Sequence, residues 1–190
     1  MKEYPVKLKI DYSESSNRLT AIFRLILVIP IVIILALIST YAEALSLAIA
    51  MMILFQGKYP RWWFDWNVGI TKFAYRIAAY VFLMRDEYPS TDHDQSVQIN
   101  IPYPDVKNDL KRWMPLVKWI LVIPHILVLI FLFIGVVIST IFALISILFT
   151  GRYPKRVFNF VEGFFRWTLR VSAFALLLTT DEYPPFRLKE

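Results

Sequence analysis

The chain contains no cysteine, which removes disulfides, thiolate metal sites and cysteine nucleophiles together. Only two histidines occur, His93 and His125, and neither has companions at metal-ligand spacing. Five glycines in 190 residues make a glycine-rich phosphate loop implausible. Charged residues are scarce at 19%, against 57% apolar, more than a soluble core of this size needs. The net charge of +6 is modest, and its basic residues flank the apolar runs instead of forming a separate arm. The expected partner is therefore the anionic phospholipid bilayer, not nucleic acid.

What is present is a duplication. Leu27-Val28-Ile29-Pro30 returns as Leu121-Val122-Ile123-Pro124. Ile53-Leu54-Phe55-x-Gly57-x-Tyr59-Pro60 returns as Ile147-Leu148-Phe149-x-Gly151-x-Tyr153-Pro154. Phe64, Gly69 and Arg76 return as Phe158, Gly163 and Arg170, and Asp86-Glu87-Tyr88-Pro89 as Asp181-Glu182-Tyr183-Pro184. This reads as two fused units, residues 1–90 and 91–190, with a polar linker at Ser90–Asp94.

Each unit opens on period-two alternation, Val6–Ile10 and Val97–Ile101, which signals a half-buried strand; the two segments can pair, or serve as extended tethers. A long apolar run follows. One helix from Thr20 to Phe55 would be ~54 Å long, against a hydrocarbon core of ~30 Å. A hairpin turning at Ser39–Glu43 is preferred, because it lifts Glu43 out of lipid and because Gly135 stands opposite Tyr41. Basic residues at both ends of each run also favour an even number of crossings, with both termini cytoplasmic and no cleaved signal. Arg24 and Lys118 would snorkel from these short helices, whose first arms Pro30 and Pro124 would bend. The alternative is one long kinked span per unit.

A Gly-x-Tyr-Pro loop comes next, carrying Lys58, Trp62 and Trp63 in the first unit and Arg152 in the second. Aromatic rings beside cations anchor at headgroup depth, or form a specific lipid-headgroup site. The third element, from Phe64 and from Phe158, places Asp65, Lys72 and Arg76 within a ~40° arc. Asn159, Arg166 and Arg170 occupy the same places in the repeat, and Glu162 precedes Arg166 by four residues, the favourable order for a helical ion pair. The preferred reading is an amphipathic interfacial helix with this stripe facing headgroups; the other is a span with the stripe turned inward. Partners for Arg76 and Arg170 are lipid phosphate or the carboxylates Asp86, Glu87, Asp181 and Glu182.

Phe149-Thr150-Gly151-Arg152-Tyr153-Pro154, Arg166-Trp167-x-x-Arg170-Val171 and Thr180-Asp181-Glu182-Tyr183-Pro184-Pro185-Phe186 resemble the signature of an uncharacterised prokaryotic membrane family, domain of unknown function number 4389. The first unit matches more loosely, with Gln56 for threonine and Ser90 for the second proline. The resemblance implies a membrane protein with repeated hydrophobic segments, and it supplies no reaction.

The expected fold is mainly α and integral to the membrane: a tandem pseudo-two-fold repeat of helical hairpin plus interfacial helix, with short surface strands. No catalytic constellation stands out, since Ser39-Thr40 and Ser139-Thr140 lack a histidine base and the paired carboxylates read as helix ends. Nothing calls for a cofactor or metal. The preferred function is a non-enzymatic scaffold or accessory subunit in a prokaryotic cell membrane, engaging lipid headgroups through Arg76, Arg170, Lys72, Arg166, Lys58, Arg152, Trp62 and Trp63. It would associate with a membrane-protein partner or with itself. The alternative is a small transporter or lipid-handling protein with an anion site between the repeats, where Arg76 and Arg170 face one another.

Overall fold

A computed structural model describes residues 4–91 and 93–189, without the side chains of residues 40–45. In chain order the elements are β1 (Lys7–Ile10), α1 (Arg18–Leu27), α2 (Ile29–Gln56), α3 (Arg61–Val81), β2 (Val97–Asn100), α4 (Met114–Leu121), α5 (Ile123–Thr150) and α6 (Lys155–Ala175). The chain is mainly helical, and each copy supplies one strand and three helices.

The long apolar runs do not form hairpins. Helix α2 is continuous through the segment where the turn at Ser39–Glu43 was expected, and Gly135 lies inside α5. The reason is local. Between Ile31 and Gln56 no proline or glycine interrupts a run of leucine, isoleucine and alanine, and one isolated glycine does not break α5. The break falls instead before the prolines. Pro30 and Pro124 occupy the first turn of α2 and α5, where a missing N–H leaves no hydrogen bond unmade. Helix α1 meets the first part of α2 at a 42° bend. The first run is thus a bent pair of helices and the second a continuous stretch, Met114–Thr150, with a hairpin in neither; the side chain of Glu43 lies outside the described residues.

At the far end, Gly57 (φ 59°) and Gly151 (φ 72°) close α2 and α5 in the left-handed conformation that glycine adopts without strain. Pro60 and Pro154 then start α3 and α6. β1 and β2 pair antiparallel, with Leu8 opposite Ile99 and Ile10 opposite Val97. Their apolar side chains are buried, while Lys9, Gln98 and Asn100 face outward.

The copies interlock instead of packing side by side. β1 lies along α6, and β2 lies along α3, so each strand covers the other copy's helix. Tyr12 donates from its hydroxyl to the Tyr153 carbonyl (2.6 Å), and Tyr103 does the same to Tyr59. Arg18 donates to the Phe149 carbonyl at the end of α5 (3.2 Å), while the Arg112 guanidinium would lie 3.4 Å from a Cβ at Gly57. These reciprocal contacts are what a pseudo-two-fold relation produces, and they replace the expected packing through hairpins.

The result is layered. The sheet and the segment before it cover one side of α6, through Ile10 and Leu8 of β1 and through Tyr4. On the other side α6 meets α5 through Trp167 on His125, Phe164 near Phe133, and Phe160 against Gly135. Beyond that layer, α5 turns most of its circumference outward: Phe131 is 73% exposed, Ile138 62% and Phe149 80%. Only 17% of its most apolar stretch is buried. The continuous stretch Met114–Thr150 is long and apolar enough to cross a membrane, and the bent pair Arg18–Leu27 with Ile29–Ser39 is a second if counted as one span.

Candidate functional site

The cations expected to snorkel turn inward. Arg24 and Lys118 sit at matching places on α1 and α4, and each is 1% exposed. Arg24 pairs with Asp86, and Lys118 lies 2.8 Å from Asp181. The second oxygen of each carboxylate accepts a backbone amide, Asn17 N–H (2.7 Å) and Lys111 N–H (2.6 Å). Arg24 also donates to the carbonyls of Tyr80 and Arg85 and lies 4.6 Å over the Tyr80 ring. Lys118 lies 5.2 Å from the Phe174 ring. A buried charge needs a paired, hydrogen-bonded carboxylate, and these two clasps bind the start of each apolar run to the end of its copy's third helix.

This corrects the expected partners of the cationic stripe. Asp86 and Asp181 are engaged by Arg24 and Lys118 instead of Arg76 and Arg170. Glu87 accepts Ser96 N–H (2.8 Å) and stands 3.7 Å from Arg85, while the Glu182 carbonyl accepts the Tyr4 hydroxyl. In the second copy the stripe lies under protein, not at a headgroup surface. Arg166 pairs with Glu162 (2.7 Å) in the helical order the sequence indicated, and donates to the Leu8 carbonyl (3.0 Å). Glu162 also accepts Ile10 N–H (3.0 Å). Arg170, 3% exposed, donates to the carbonyls of Arg187 (3.1 Å) and Lys189 (2.9 Å) in the C-terminal tail.

In the first copy Arg76 donates one bond to the Ser90 carbonyl (2.6 Å), and Lys72 has no described partner. Both line a cleft of about 360 Å³ with Asp94, Gln95 and β2. The corresponding space beside Arg166 and Arg170 is about 20 Å³, room for about one water. Arg76 and Arg170 therefore line different clefts on different strands, and do not face one another across the repeat.

At the loops, Lys58 and Arg152 are exposed. Trp62 is 70% exposed and stacks on Trp63 with ring centres 5.4 Å apart. Tyr59 and Tyr153 are buried beneath, and burial pushes both phenols up from their ordinary pKa, so they stay neutral. His125 accepts a bond at Nδ1 from the Trp167 indole (3.0 Å) and stacks on Phe186 (3.9 Å), which makes it a packing residue between α5, α6 and the tail. Among the described residues no group of three or more His, Asp or Glu side chains is placed to hold a metal ion.

Sequence reasoning passed over the two clasps. Their signal was available: one cation per apolar run at matching positions, and one Asp-Glu pair closing each copy.

No curated protein and no solved structure matches the chain. One family does, the domain of unknown function DUF4389, over residues 18–91 and again over 112–187. Both segments begin after a strand and end beyond an Asp-Glu-Tyr-Pro turn, so they enclose the helices and clasp of each copy and leave β1 and β2 outside. The chain belongs to the DUF4389 family, as two tandem copies of its domain.

Proposed function

We propose that the protein is a non-enzymatic, integral membrane scaffold or accessory subunit, multi-pass in a prokaryotic cell membrane. The observation that carries this reading is the outward face of α5. Phe131, Ile134, Ile138, Ile141, Phe142 and Phe149 are exposed along one helix, an apolar surface far beyond the scattered exposed residues of a water-soluble monomer. Lipid is the solvent that such a surface fits. The exposed Lys58, Trp62 and Arg152 at the helix turns suit headgroup anchoring. Tyr4 and Lys189 both bond to Arg170, which supports placing the two ends of the described chain on one side; the basic residues flanking the apolar runs favour the cytoplasmic one.

Alkaline carbonate washing followed by flotation with liposomes tests this. The wild type should stay with the membrane. Ile138→Lys should weaken retention without lowering stability in detergent, since a cation at mid-bilayer costs about 2.5–3.5 kcal/mol. Complete release of the wild type by carbonate would sink the reading. Cysteines placed singly at His93 and Lys189 should label from the same side of sealed vesicles. Lys2, a natural third position, lies outside the described residues.

A further inference from the structure

The two copies differ in one functional respect. A groove that the second copy fills with its own chain is left open by the described residues of the first. On α6, Gly163 is needed because the tail packs on it: a Cβ there would lie 2.8 Å from the Leu188 Cβ and 3.0 Å from its carbonyl. One and two turns further along, Arg166 and Arg170 grip the strand and the tail, and Phe186 of the tail stacks on His125. The first copy keeps the same ridge as Gly69, Lys72 and Arg76. Yet nothing described lies within 4 Å of a Cβ at Gly69, which is exposed. The chain leaves Arg76 at Ser90 and turns into the linker.

The strand beside this groove lacks the side-chain bonds of its counterpart along that edge, although Val97 and Ile99 are themselves only 5% and 7% exposed. Asp11 N–H donates to the Ser96 carbonyl, so the bonded pairs of the ladder are Asp11–Ser96, Lys9–Gln98 and Lys7–Asn100. The backbone groups of Leu8 and Ile10 point away from the partner strand, and α6 satisfies them there through Arg166 and Glu162. Val97 and Ile99 point away on the other edge, toward α3. There Val68 replaces Glu162 and Lys72 replaces Arg166, and no hydrogen bond from α3 to those groups is described. An unpaired strand edge is a template for another strand.

We propose that this cleft docks an extended, acidic segment of a partner protein, which adds to the free edge of β2 and seats an aliphatic side chain over Gly69. The chain's own tail on α6 is the template, with its leucine on the glycine and its carbonyls on the arginine. Charge decides against the tail of a second copy. Arg187 and Lys189 would meet Lys72, which has no partner among the described residues, whereas a carboxylate would complement it. Asp94 on the opposite wall leaves the Lys72–Arg76 side the cationic one. The inference names a partner class for the scaffold reading and rests on it only for the recruitment of partners. Flotation tests that reading, and the experiment below tests this one.

The whole chain in detergent micelles is panned against phage-displayed random octapeptides. The wild type should enrich peptides carrying Asp or Glu and an aliphatic residue, at least tenfold over Gly69→Leu. That variant fills the groove while improving helix propensity, so it folds. Lys72→Glu should exchange the acidic preference for a basic one. A selected peptide should slow amide exchange at Val97 and Ile99 by tenfold or more. No enrichment over Gly69→Leu, selection of basic tail-like sequences, or protection confined to elements other than β2 would each overturn the proposal.

Discussion

Replacing Asp181 by alanine is expected to cost about 3–5 kcal/mol, and to cost more than the same change at Asp86. Lys118 is 1% exposed and Asp181 13%, so the variant leaves a buried ammonium facing only the Phe174 ring among its described contacts. It also strips Lys111 N–H of its acceptor. Arg24 is better insured. With Asp86 gone it keeps the carbonyls of Tyr80 and Arg85, the Thr20 hydroxyl and the Tyr80 ring. Asp86→Ala should therefore lose about 1.5–3 kcal/mol, the range for a hydrogen bond to a charged group. At ~2–4 °C per kcal/mol for a chain of this length, Asp181→Ala lowers the melting temperature by about 6–20 °C. Thermal unfolding in a single detergent measures it, alongside the double variant Lys118→Met/Asp181→Ala. Removing both charges should recover most of the loss, because the unpaired buried charge is what destabilises. A loss below about 1 kcal/mol at Asp181, or a double variant no more stable than the single, would refute the clasp as a stabilising element.

Glu162→Ala should destabilise by about 3 kcal/mol and speed exchange of the Ile10 amide, since one carboxylate oxygen serves both Arg166 and that N–H. Gly163→Ala should displace the tail and expose it to protease, whereas Gly69→Ala should be neutral or stabilising by up to ~1 kcal/mol; equal protease sensitivity would contradict the difference between the copies. Hydrogen bonds from the Asn108 side chain and the Lys107 amide hold Asp105 below the usual carboxylate pKa. Its contribution to the 105–109 turn is thus present above the ordinary carboxylate value and lost as pH falls through the lowered one. The Lys107 and Asn108 amide shifts, followed by NMR from pH 6 downward, should report that loss.

The duplication, the apolar runs, the strand pairing and the glycine caps were all legible, because each rests on residues near one another in the chain or on a repeat that a reader can align. The Glu162–Arg166 pair belongs to the same class, four residues apart on one helix. The hairpin failed because bilayer thickness was set against local propensity. An unbroken leucine- and isoleucine-rich stretch stays helical past ~30 Å unless a residue stops it, and in both copies the proline stands in the first turn of the long helix, beside a 42° bend in the first copy, with no turn further along. Sequence also could not tell a snorkelling cation from a buried one. Both look like a single Arg24 or Lys118 near the end of an apolar run; only the placement of a carboxylate 62 residues away from Arg24 turns it inward. The exchange of strands between copies is non-local in the same way, since alternation marks a covered face without saying which helix covers it. Tertiary structure alone decided that α6 is sealed by the chain's own tail while α3, with the same glycine and arginine, is left open by the described residues. The tail is present once in a chain whose other parts occur twice, and one segment fills one groove.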